Sequence, residues 1–203
     1  MNTFVTPRPN RLVTHIMTRV NNISIVGGLP ILKHVRGFRP LTRITDIDFP
    51  KEHIALLRRH VGPGQATFFA PNHPEFFTDW MLDKKVLSKT APNAASWAAG
   101  EVVNGMGSLM QRFWLANNLI AVVPGKTKGA RDYSVAWAQK GNGVLLHPEG
   151  RVGWHGNHVG ELFSGAASMA QDALTGAEHI SQSWVLPLVW KIMFTKDATA
   201  GLR

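Results

Sequence analysis

The chain has 203 residues, of which 44% are hydrophobic, and it carries a net charge of +9 with no cysteine. A chain of this length forms one domain with a substantial core. The lack of cysteine excludes disulfides, thiolate nucleophiles and cysteine-based metal sites, and it favours a cytoplasmic location.

The positive charge is concentrated in the first 60 residues. Ten Lys and Arg residues there stand against three acidic residues, so this part holds +7 of the +9. A segment of this kind attracts an anionic partner, such as a phospholipid surface, nucleic acid or an acidic protein, or it forms a solvated face. We expect residues 1–49 to be a basic segment that attaches to an anionic membrane surface.

The longest apolar run predicts attachment to that surface without crossing it. The run, ISIVGGLPIL at 23–32, has ten residues and contains two glycines and a proline. A spanning helix needs about 20 apolar residues. We therefore expect a protein that is peripheral on the membrane, with four apolar residues adding interfacial insertion. These are Ile23, Ile25, Val26 and Leu29.

Along the chain, hydrophobic periodicity predicts helices that alternate with short apolar strands. The predicted helices cover residues 11–20, 47–60, 76–89, 102–115, 127–140 and 165–174. The predicted strands cover residues 66–70, 94–99, 118–124, 143–147 and 184–190. This alternation is typical of a single-domain α/β sandwich with a largely parallel mixed sheet flanked by helices. We assign the α/β domain to residues 50–203, and its end soon after the last strand fits either a minimal domain or a fragment.

Three polar motifs follow predicted strands. His73 comes after the first strand, PGKTKG (124–129) after the third, and HPEGR (147–151) after the fourth. Sites in open α/β sheets lie at the carboxyl ends of strands, where helix N-termini also point. The convergence of the three motifs at one edge predicts a site there.

His73 and Asp79 suit a general base and the carboxylate that orients it. The carboxylate fixes one ring nitrogen while the other nitrogen accepts a proton. The chain has no cysteine and no G-x-S-x-G nucleophile motif. The nucleophile is therefore expected on the substrate. Lys126 is a candidate anion-binding residue, although a solvated helix start explains it equally well.

A metal site is an alternative interpretation of a second group of histidines. His147, His155 and His158 lie close together in sequence, with Glu149 and Glu161 nearby. Their spacing matches no standard zinc pattern, so we expect no metal and no cofactor.

Four blocks of the chain together resemble a known family. NHPEFFTD, NLIAVVPGK, LLHPEGR and VLPLVW occur in this order. They resemble the glycerolipid acyltransferases, the superfamily of lysophosphatidate and glycerol-3-phosphate acyltransferases. The resemblance covers about residues 50–191, and its first and third blocks are the more specific ones.

The resemblance implies a role in phospholipid biosynthesis. His73 would activate an acceptor hydroxyl and Asp79 would orient it, while Glu149, Gly150 and Arg151 would bind substrate. The hydroxyl of a glycerol phosphate, lysophospholipid or related lipid or polyol would attack an acyl thioester. Acyl-CoA or acyl carrier protein would be the co-substrate.

Three departures from the family pattern leave alternatives open. The family has four residues between its His and Asp, whereas this chain has five, so the turn bulges or Glu75 or Asp83 serves instead. The third block lacks the usual Thr before Arg151. The second block has Pro and Gly where the family carries an arginine linked to the acceptor phosphate, and Lys126 is the candidate substitute.

Two other functions compete with acyl transfer. A non-catalytic lipid- or anion-binding relative is the alternative, made plausible by the altered His–Asp spacing. Nucleic-acid binding through the basic segment is the other, but no nucleic-acid motif supports it, and we expect no such partner.

Overall fold

The five strands form one parallel sheet in a computed structural model that describes residues 4–25, 31, 34–35, 44, 46–74, 78–105, 107–153 and 159–193. The strands are β1 Gln65–Pro71, β2 Ala95–Ala99, β3 Leu119–Val122, β4 Gly143–Leu145 and β5 Gln182–Leu188. Their order across the sheet is β3-β2-β4-β1-β5. Every pairing is parallel.

Seven helices accompany these strands in the described part of the chain. They are α1 Arg11–Ser24, α2 Lys51–Arg59, α3 Thr78–Thr90, α4 Gly100–Asn104, α5 Gly107–Ala116, α6 Lys128–Ala138 and α7 Gly165–Thr175. The predicted α/β architecture is confirmed, and the sheet is parallel throughout these strands instead of mixed. None of the described helices is both long and apolar enough to pass through a bilayer.

One predicted helix, 102–115, is two helices in the structure. α4 ends at Asn104 and α5 begins at Gly107. Gly107 has a φ of 80°, a left-handed conformation that a continuous α-helix cannot contain. The apolar content of the segment predicted helix correctly, but it did not show this break.

Alternate strand residues face opposite sides of the sheet and build two cores. Phe68 and Val144 pack with α6 and α7 on one side. Phe69 and Leu145 pack with α2 and α3 on the other side. β1 and β4 are buried on both faces and read as continuous apolar runs, which is why short apolar runs located them.

The connections after β1 and β4 leave the sheet in different directions. β1 and β4 are neighbours. The chain goes from β1 through α3, on one face, to β2; it goes from β4 through α7, on the other face, to β5. Such a switch point opens a crevice at the carboxyl ends of two adjacent strands, where open α/β sheets bind ligands.

Helix α1 presents four of its apolar side chains outward. Asn10 caps it by accepting the backbone N–H groups of Leu12 and Val13. Asn21 and Ser24 are buried, and Asn21 Nδ2 donates to the Met81 carbonyl of α3 at 2.9 Å.

Two of the four residues expected to insert into a membrane lie in the described part of the chain. Ile23 is exposed, as that expectation requires. The expectation is wrong for Ile25, which is fully buried and cannot insert. Val26 and Leu29 lie outside the described residues.

Candidate active site

His73 and Asp79 meet at the carboxyl end of β1. His73 Nδ1 lies 2.9 Å from Asp79 Oδ2, and Asp79 is fully buried in the first turn of α3. The positive end of the helix dipole favours a charged carboxylate at that position. Because a carboxylate only accepts hydrogen bonds, Nδ1 carries the proton and Nε2 is left as an acceptor. The extra residue in the His–Asp spacing thus does not separate the pair.

A second His–Asp pair lies beside the first. His147 Nε2, just past β4, is 3.1 Å from Asp83 Oδ2, and Asp83 stands four residues after Asp79 on α3. The rings of His73 and His147 stack with centroids 4.1 Å apart and planes 17° apart. Asp83, the fallback orienter, therefore contacts His147. The other fallback, Glu75, lies outside the described residues.

The lysine that follows Asp83 on α3 has a lowered pKa. Burial lowers the pKa of Lys84 to about 8, and Asp83 acts in the opposite direction. Lys84 Nζ lies 5.8 Å from the centroid of the Trp80 ring. Neighbouring side chains on a helix diverge, so Lys84 does not share the face that carries Asp79 and Asp83.

Glu149 holds the loop that carries His73. Its Oε1 accepts the backbone N–H of His73 at 2.8 Å, and its Oε2 accepts that of Gly160 at 3.2 Å. The residue is buried. Both oxygens contact protein, so the geometry supports a positioning role, while the substrate-binding role expected from sequence stays a prediction.

Replacing Glu149 by alanine is expected to lower the free energy of unfolding by ~1–3 kcal/mol, because the His73 N–H loses its acceptor. Urea denaturation followed by tryptophan fluorescence measures this. The exposed Glu161→Ala is the matched control and should be neutral. An unchanged midpoint for Glu149→Ala would show that this hydrogen bond does not hold the loop.

An apolar cavity of about 420 Å³ opens next to the two histidines. Small-molecule sites span about 300–1,000 Å³. Its wall includes His73, His147 and six apolar side chains, which are Trp80, Trp97, Val102, Trp114, Leu119 and Val122. The cavity joins an acid–base group to a space suited to an apolar ligand.

The other predicted site residues lie at the same edge but in different positions. Gly150 and the exposed Arg151 line the cavity. Gly150 has a φ of 64°, and a Cβ there would come within 3.0 Å of the Phe163 ring, so glycine suits this position on two grounds. Lys126 is exposed and lies two residues beyond Pro124, which lines the cavity. Its anion-binding role stays a prediction.

Three side chains that can coordinate a metal ion lie close together at this edge. Among the described residues, His73, Asp79 and His147 each offer a ligand atom within 4.8 Å of the others. A carboxylate hydrogen bond already explains the arrangement of each ring, so we assign no metal. His155 and His158, considered for a zinc site from the sequence, lie outside the described residues.

These features place a buried His–Asp contact and an apolar cavity at a parallel-sheet switch point. Comparison of the chain with protein-family models, with curated proteins and with solved structures found no match.

Proposed function

We propose that the protein is an O-acyltransferase that moves a fatty acyl group from a thioester to a hydroxyl acceptor. The single observation that carries the proposal is the hydrogen bond between His73 Nδ1 and the buried Asp79, which leaves Nε2 as a base at the cavity wall. The resemblance of the four sequence blocks supports the same reaction. The acceptor is a glycerol phosphate, a lysophospholipid or a related lipid.

In this mechanism the acceptor supplies the nucleophile. Its hydroxyl oxygen attacks the thioester carbonyl while Nε2 of His73 takes the hydroxyl proton. The C–O bond forms, the C–S bond breaks, and the departing sulfur receives the proton back from His73. Asp79 stabilises the imidazolium between the two transfers, as the buried carboxylate of a catalytic triad does.

The cavity supports a fatty acyl donor. Its tryptophans and aliphatic side chains offer apolar contact, and burying each methylene of a chain contributes roughly 0.8 kcal/mol. Arg151, exposed at the same cavity, suits an anionic group of the donor or acceptor. The apolar wall and Arg151 together support a donor or acceptor that combines a fatty acyl chain with an anionic group.

A thiol-release assay tests the proposal. The purified protein is given long-chain acyl-CoA, or acyl carrier protein carrying the same chain, with glycerol 3-phosphate, lysophosphatidate and other lysophospholipids in turn. We expect thiol release that requires an acceptor, with one ester formed per thiol. Saturable binding of acyl-CoA without ester formation for any acceptor would instead support the non-catalytic lipid-binding alternative.

The same proposal places the protein on the cytoplasmic face of a membrane, as a peripheral protein. The outer face of α1 carries four exposed apolar residues at helical spacing, which are Leu12, Ile16, Val20 and Ile23. Its exposed charged residues, Arg11 and Arg19, are basic, and the helix contains no acid. An apolar stripe beside basic residues matches an anionic phospholipid surface.

Changing this stripe to Leu12→Gln, Ile16→Gln, Val20→Gln and Ile23→Gln is expected to weaken binding to anionic vesicles about tenfold or more. Arg11→Gln with Arg19→Gln should mainly reduce the salt-sensitive part of binding, at roughly 1 kcal/mol per arginine. Vesicle co-sedimentation at several salt concentrations measures both.

The control for the stripe is Leu174→Gln, an exposed leucine on α7. It should bind vesicles like the wild type. Equal binding to neutral vesicles, or full binding by the α1 stripe variant, would contradict the membrane assignment.

A further inference from the structure

The base is connected to a closed set of buried side chains that the acyl-transfer mechanism does not use. His147 stacks on His73 and contacts Asp83. The other oxygen of that carboxylate, Asp83 Oδ1, accepts the indole N–H of Trp190 at 2.8 Å. Trp190, just past β5, is buried, as is Asp83.

The series of contacts continues to Asn72, the residue that precedes His73. The backbone N–H of Trp190 donates to Asn72 Oδ1 at 2.6 Å, and Asn72 Nδ2 donates to the Trp190 carbonyl at 3.0 Å. Asn72 is buried and adjoins His73 in the chain. The path from Asn72 through Trp190, Asp83 and His147 to the ring of His73 is therefore continuous.

This closed path matters because Asp79 fixes only one point of the His73 ring. The hydrogen bond at Nδ1 limits rotation about the Cβ–Cγ bond, but a single contact still allows the ring to rotate within the tolerance of that hydrogen bond, and a histidine has no sharp preference there. A second ring stacked at 4.1 Å fills one face and restricts that rotation. The plane of His73, and so the direction of Nε2, is set by both contacts.

The second pair is poorly explained as ordinary core packing. His147 is a polar side chain in the wall of the apolar cavity, and its side chain is 12% exposed. Asp83 is a fully buried carboxylate, which is costly unless its partners are well placed. An arrangement of this kind supports precise placement more than stability.

We propose that His147, held by Asp83 and Trp190, is a positioning residue that fixes the ring plane of His73. The proposal rests on the proposed acyl transfer. His147 acts through His73, so its loss lowers the turnover of bound substrate more than it changes substrate binding. A displacement of about 1 Å in a catalytic group can lower a rate about 10²-fold.

The test compares His147→Leu with His147→Phe. Both variants lose the hydrogen bond to Asp83, but phenylalanine alone keeps an aromatic face against His73. We expect leucine to lower kcat about 10–100-fold with a much smaller change in KM, and phenylalanine to recover most of that loss. Trp190→Phe, which removes only the indole N–H, should lower kcat less. His179→Leu, an exposed histidine elsewhere, is the control for the assay.

A second measurement does not depend on activity. In proton NMR, the stacked ring should shift the ring protons of His73 upfield in the wild type and in His147→Phe, and this shift should vanish in His147→Leu. This shift can be measured even if no acceptor supports turnover. In that case the acyl-transfer proposal fails, and the shift alone tests the stacking of the two rings. If neither His147 variant folds, the kcat and the His73 ring shift of Trp190→Phe test the proposal instead.

Three outcomes would overturn the proposal. They are wild-type kcat in His147→Leu, equal losses for leucine and phenylalanine, and a His73 ring shift that is insensitive to both His147→Leu and Trp190→Phe. Equal losses would mean that the imidazole nitrogens of His147 matter instead of its ring face.

Discussion

Replacing His73 by alanine is expected to lower acyl transfer ~10²–10⁴-fold, the usual contribution of a positioned base. The side chain is 15% exposed and is not part of either core, so the fold should be retained. Removing the base affects proton transfer in the transition state. The loss should therefore fall on kcat, with little change in the KM for the acyl donor.

The matched control is His179→Ala. That histidine is exposed, and its ring contacts only the backbone carbonyl of Gln139 among the hydrogen bonds of the described residues. It precedes β5 and so lies at the amino edge of the sheet, opposite His73. Thiol release and circular dichroism are measured for both variants. Near-normal turnover in folded His73→Ala would remove His73 from the mechanism.

The strands of the sheet were predictable because short local stretches of sequence identify them. ATFFA and GVLL are short apolar runs that follow the glycine-rich turns GPG (62–64) and GNG (141–143), and the structure places β1 and β4 there. Helix bounds were less predictable where backbone geometry decided them. The left-handed Gly107 divided α4 from α5, and a glycine in an apolar helical run gives no sign of its φ.

The position of His73 was predictable and its surroundings were not. His73 follows a strand directly, which alone places it at a carboxyl edge. Its stacking on His147 depends on β4 lying beside β1, although the two are separated by two intervening strands in sequence. Strand order is a property of the whole fold. The apolar cavity has the same origin, because its tryptophans come from α3, β2 and α5.

The choice among Asp79, Asp83 and Glu75 as orienter also required the fold. Asp79 and Asp83 are one helical turn apart, so both point toward the same edge, and sequence spacing cannot assign each to its histidine. The structure joins Asp79 to His73 and Asp83 to His147. This assignment gives the two carboxylates different expected effects.

Asp79→Asn is expected to lower kcat ~10²–10⁴-fold with little change in KM. An asparagine amide can donate to Nδ1 of His73, which moves the ring proton to Nε2. The nitrogen that faces the hydroxyl then has no lone pair to accept its proton. The substitution keeps the size of the side chain, so the damage comes from the wrong tautomer and not from a cavity.

Asp83→Asn separates this explanation from a general effect of removing a buried charge. Asp83 is as deeply buried as Asp79, but it contacts His147 and Trp190, so its loss should be smaller, about tenfold. Asp132→Asn, in an exposed pair with Lys128, should be neutral. A larger loss of kcat for Asp83→Asn than for Asp79→Asn would mean that Asp79 does not orient the base, since the two carboxylates are equally buried.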